Sequence, residues 1–118
     1  MRAFHVLAAP CAAGLLLLAG CAAKVPTLYQ WGGYQEQIYS RYSDAKLSVE
    51  AQIAALEADA QKNAGTGQKL PPGWYAHLGS LYFQAGKPGQ AVSSFEAEKA
   101  TFPESAAYMD LLIKQAKK

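Results

Sequence analysis

From Tyr75 onward, large and small side chains recur at fixed distances: Tyr75-x₂-Leu78-Gly79-x₂-Tyr82, then Ala91-x₃-Phe95, then Pro103. Nothing else in the chain constrains the fold as strongly. Steps of three and four place Tyr75, Leu78 and Tyr82 on one face of an α-helix. Gly79 and Ala91 are small enough to let two helices approach closely, while Leu78, Tyr82 and Phe95 fill the seam between them. Between the two halves lies Gly86-Lys87-Pro88-Gly89. There a glycine can close one helix in the left-handed conformation, and a proline fits the first turn of the next. Pro103 stops the second helix. The spacing predicts a helical hairpin.

The pattern resembles the tetratricopeptide signature, W-x₂-L-G-x₂-Y…A-x₃-F…P, with Tyr75 as the large aromatic at its first position. The rest of the chain supplies neighbours for that hairpin. Tyr34, Ile38, Tyr42, Ala45, Val49, Ile53, Leu56 and Ala60 form one apolar stripe at helical steps. Ser43-Asp44 in its middle resembles an N-cap, so the stretch reads either as one long helix or as two meeting near residue 44. It ends at "NAGTG", where Gly65 or Gly67 can take the left-handed closing conformation. A last helix follows Pro103 and runs to about Lys117. The expected class is all-α: a short tetratricopeptide-like array of about four or five helices over residues 34–118. Residues 34–63 are expected on one side of the hairpin, with 104–117 capping the other.

The N-terminus has a different character. Met1 and Arg2 precede a mostly apolar run from Phe4 to Leu18, too short for a comfortable membrane span. It ends in Leu18-Ala19-Gly20-Cys21, which matches the bacterial lipobox. There the cysteine thiol is acylated with palmitate-type chains and the bond before it is cut. Residues 1–20 are therefore expected to be a signal peptide, and 21–33 a lipidated tether. Each buried CH₂ contributes about 0.8 kcal/mol, so two or three acyl chains anchor a protein firmly. No Asp follows Cys21, so the inner-membrane retention signal of enteric-type bacteria is missing. The expected address is the outer membrane, facing the periplasm.

Both cysteines, Cys11 and Cys21, are used up by this processing, which leaves the folded domain no thiol for a disulfide or a metal site. Lys and Arg number 11 against 9 Asp and Glu, with the signs interspersed. Only Lys114, Lys117 and Lys118 cluster, which suits a helix C-terminus better than a nucleic-acid surface. No cofactor or metal site is expected, and no catalytic residue. His77, the one histidine after the lipobox, has neither histidine nor cysteine company. On a helical wheel it lies opposite the Leu78–Tyr82 seam, beside Ser80 and Gln84, and is expected on a narrow polar strip. Tyr29 and Trp31 could dip into a membrane interface or staple the first helix to the domain, and the staple is the favoured reading.

Residues 29–114 also resemble a named family, domain of unknown function 4810. The likeness rests on "LYQWGGYQEQIY", on "LPPGWYAHLGSLYFQAGKPGQAVSSFEAEKATFPES" and on "YMDLLIK". The resemblance implies a lipoprotein whose gene commonly neighbours those of a curli-export-pore-like lipoprotein and another small lipoprotein, hence a partner complex in the envelope. By likeness to tetratricopeptide arrays, first helices line the binding groove, which puts Ala76, Ser80, Phe83 and Gln84 toward it. The expected function is a periplasm-facing protein-binding adaptor. The alternative is a structural accessory that supports a neighbouring lipoprotein complex without a groove-bound ligand.

Overall fold

The protein is described by a computed structural model over residues 26–43 and 47–118. The expected signal peptide and the lipobox match that ends at Cys21 lie outside the described residues. Among the described residues five α-helices follow in order: α1 (Tyr34–Tyr42), α2 (Val49–Asn63), α3 (Trp74–Gln84), α4 (Pro88–Thr101) and, after a 3₁₀ turn at Pro103–Ser105, α5 (Ala106–Ala116). Each helix packs against its chain neighbours, in an all-α array. Among the described residues the one β-type pairing is an isolated parallel bridge between Tyr29 and Lys69.

The α3–α4 seam follows from the size pattern. A Cβ built on Gly79 would sit 2.6 Å from Cε1 of Phe95 and 2.7 Å from its Cδ1, closer than any real contact. Glycine at this position is therefore what lets the Phe95 ring pack directly on α3. Ala91 is fully buried in the same contact zone, with Leu78, Tyr82 and Phe95 around it in one core. Gly86 adopts the left-handed conformation with φ of 71°, and Pro88 opens α4. That core continues through Trp74 and Leu81 to Ile53 and Leu56 of α2, and on the other side to Met109 and Ile113 of α5.

The stretch from 34 to 63 forms two helices, and the second is capped by Ser48 rather than at Ser43-Asp44. The Ser48 hydroxyl accepts from Ala51 N at 3.1 Å, while Ser43 closes α1. The apolar stripe holds along α2, where Ile53 and Leu56 are buried, and only in part along α1, where Tyr34 packs on the core and Ile38 is half-buried. There Gln37 and Ser40 face inward, and Tyr42 stands 81 % exposed. A nine-residue helix at the margin of the array has only one side to bury, and here that side mixes the Tyr34 ring with the polar Gln37 and Ser40.

Residues 26–33, expected as tether, lie against the domain as a strap. Gln30 N donates to Lys69 O at 2.9 Å, and Gln68 Nε2 to Thr27 O at 3.1 Å. Tyr29 meets the ring of Phe102 edge-on, and Trp31 stacks on Tyr34. Tyr29 and Trp31 thus sit where a staple would place them. Gly33 N donates to Asp59 Oδ2 at 2.6 Å, which fastens the start of α1 to α2.

Candidate functional site

Three helices end on one groove. Arg41 comes from the last turn of α1, Ser80, Phe83 and Gln84 from the last turn and a half of α3, and Leu112 and Gln115 from the second half of α5. Phe95 of α4 closes its floor. The cavity measures about 260 Å³, room for one or two side chains rather than a whole drug-sized ligand. Phe83 is 49 % exposed, a large apolar ring left partly in water beside the half-buried Leu112. Burying the remainder against a partner would be favourable, in proportion to the apolar area removed from water.

The polar groups of the groove are partly engaged. Ser80 Oγ donates to Ala76 O at 2.9 Å, and Gln84 Nε2 donates to Ser80 O at 3.3 Å. Both bonds hold the side chains along α3 and leave the Gln84 carbonyl to accept from a ligand. Arg41 is the one charged residue in the lining. Ser80, Phe83 and Gln84, three of the four residues expected toward a groove, line this cavity. Ala76 does not line the groove; it is half-buried against the core. Arg41, Leu112 and Gln115 were missed, because the repeat motif covers only α3 and α4. The signal that would have found them is positional: each lies near the end of the helix that plays the part of α3 in its own pair.

The expected place of His77 is corrected. It is 7 % exposed rather than on a surface strip, because α1 lies across that side of α3. Tyr34 meets its ring edge-on, with centroids 6.1 Å apart. Burial, reinforced by the nearby Arg41 charge, lowers its pKa to about 4, so the ring is neutral near neutral pH. Near Tyr34, Glu98 of α4 accepts from Gly73 N at 2.6 Å, at the left-handed glycine that starts α3. Burial, and then the Glu98 carboxylate, raise the pKa of Tyr34. Among the described residues, Gln37 Oε1, Gln52 Oε1, His77 Nε2 and Glu98 Oε2 are buried without a hydrogen-bond partner. The side of α1 that meets α3 is thus largely polar and closed off from solvent, with Gln37 and Ser40 buried and Tyr34 on His77.

On the other side of α3 a shallower trough of about 320 Å³ runs between Tyr75 and the small residues Gly89, Ser93 and Ala97 of α4. Tyr82 hydrogen-bonds Glu57 there, and burial together with that bond pushes its pKa up to about 12. Pro103 sits, as expected, just beyond the end of α4. Among the described residues no group of three or more His, Cys, Asp or Glu could hold a metal ion, and no helix is long and apolar enough to cross a membrane.

Compared with known proteins, residues 28–112 match the family model described as Domain of unknown function (DUF4810). No curated protein and no solved structure matches the chain.

Proposed function

The chain belongs to the domain of unknown function 4810 family, and from that premise we propose that it is an outer-membrane lipoprotein acting as a periplasm-facing adaptor for other proteins. The groove at the ends of α1, α3 and α5 carries this reading. It combines a half-exposed Phe83 with carboxamides and one cation, a mixture suited to an extended segment or helix that offers an apolar anchor and hydrogen-bonding groups. The α3–α4 spacing supports a hairpin of the tetratricopeptide type, whose arrays bind partners along such surfaces. Leu18-Ala19-Gly20-Cys21 supports the anchor. The partner favoured is another envelope lipoprotein, of the curli-export-pore-like kind, within a secretion or surface-assembly complex. The burial of His77 supports a structural rather than catalytic use for it.

The test has two arms. Cys21→Ala should release the protein from the outer-membrane fraction, and unchanged fractionation refutes the anchor. Crosslinking from the groove in intact envelopes should trap a defined protein, and Phe83→Ala with Gln84→Ala should abolish the product. A second reading, the structural accessory, draws on the trough of Tyr75, Gly89, Ser93 and Ala97, where a neighbouring helix could approach closely. If Ser93→Trp abolishes the crosslink and the Phe83/Gln84 pair does not, that reading replaces the adaptor.

A further inference from the structure

The strap and the groove occupy opposite ends of the same three helices. At the start of α1, Tyr34 Oη lies 2.9 Å from where a Cβ on Gly73 would be, at the start of α3. At its end, Arg41 shares the groove with Ser80 and Gln84, at the end of α3. The two helices therefore run parallel. The approach to α5 begins beside Phe102, which touches Tyr29 of the strap, and its later residues Leu112 and Gln115 reach the groove. All three helices thus lead from a strap edge to a groove edge. Eleven residues of helix separate those edges in α3, about 16 Å.

The strap edge has the chemistry of a bilayer interface. Leu28 is 79 % exposed, Trp31 is 38 % exposed, and Lys69 lies exposed beside them. A trough of about 550 Å³ opens between Leu28 and Gly67–Lys69. Apolar and indole side chains with a lysine at their margin are the set favoured where acyl chains meet headgroups. Chain length narrows the occupant further. Thr27 is already held by Gln68, so six residue steps at most separate Cys21 from a fixed point of the domain, a reach of about 20 Å.

We infer that the edge formed by Leu28, Trp31 and Lys69 rests on the membrane, so that α1, α3 and α5 stand away from it and the groove opens toward the periplasm. The inference depends on the anchor at Cys21 proposed above. It adds an orientation: the lipid surface is the partner of the strap edge, and protein partners meet only the far end.

The processed protein, acylated at Cys21 and reconstituted in phosphatidylethanolamine/phosphatidylglycerol vesicles, tests this directly. With no native thiol free, Leu28→Cys and Tyr42→Cys can each carry an environment-sensitive fluorophore at an exposed position. Emission from position 28 should shift to the blue and be quenched by brominated lipid, and emission from position 42 should do neither. In the unlabelled protein, brominated lipid should quench the part of the tryptophan emission due to Trp31 and spare buried Trp74. Flotation with the vesicles while position 28 stays aqueous overturns the membrane contact and leaves the anchor standing. Quenching at both positions overturns the upright orientation. Failure to float overturns the anchor, and the contact falls with it.

Discussion

The joint between α3 and α4 and the joint that holds α1 solve the same packing problem by different chemistry. In the first, a missing side chain at Gly79 receives a flat ring, Phe95, and the surrounding residues are apolar. In the second, Gln37, Ser40 and His77 are buried, the Tyr34 ring meets His77 edge-on, and a backbone donor on a carboxylate, Gly33 N on Asp59, fastens the start of α1. An apolar seam gains by excluding water and tolerates small shifts. A polar joint depends on pairing, and each orphaned atom costs free energy. The first should therefore dominate global stability, while the second should decide when α1 stays docked.

The largest blow to that contrast falls on the seam. Phe95→Ala should cost ~3–5 kcal/mol, read as a fall in the urea midpoint with little change in m. A cost no greater than that of a surface substitution would mean the seam does not dominate.

Acidification addresses the polar joint. The folded pKa of His77, about 4, lies below its ordinary value of 6.5. Between those values the unfolded chain binds more protons, so stability is full above about pH 6.5, falls as pH drops, and levels off below about pH 4. Allowing for partial solvent screening, the loss should be about 2 kcal/mol. His77→Leu should remove that part of the pH dependence, measured as the difference in unfolding free energy between pH 7 and pH 4.5. An unchanged slope in the variant would assign the effect to other groups.

Gly79→Ala sharpens the account of the seam. Overpacking against Phe95 should cost ~1–3 kcal/mol, partly offset by about 1 kcal/mol of better helix propensity. The cost should shrink in a Phe95→Leu background, and a double-mutant cycle without coupling would show that the close approach is not the cause. The smallest effect is expected at Gln37→Leu, which removes a buried oxygen without a partner and should change stability by less than about 1 kcal/mol, in the stabilising direction. A clear destabilisation would mean that the carboxamide is paired after all.

The same contrast explains what could be read from residues alone. Tyr75, Leu78, Gly79, Tyr82, Ala91 and Phe95 declare their partners by size and spacing, so the central hairpin was legible in full. In α1 the apolar stripe held at Tyr34 but pointed the wrong way at Tyr42, while Gln37 and Ser40 went inside. A buried glutamine or serine has no periodic signature, and its place is set by which donors and acceptors arrive from elsewhere. His77 was misplaced for that reason: the wheel gave its direction correctly, but whether α1 covers that direction is a tertiary fact. The groove was half legible. Its α3 wall followed from the repeat pattern, whereas Arg41, Leu112 and Gln115 depended on the parallel alignment of three helices.

The strap also sets how the domain bears load. A pull on the chain before Thr27 meets the Gln30–Lys69 and Gln68–Thr27 hydrogen bonds and the Tyr29–Phe102 contact before it reaches α1. Tension is thereby passed to the loops that precede α3 and α5, next to the central core. The weaker polar joint of α1 lies behind this clamp, so force applied at the N-terminus must shear the strap before it can peel the first helix away.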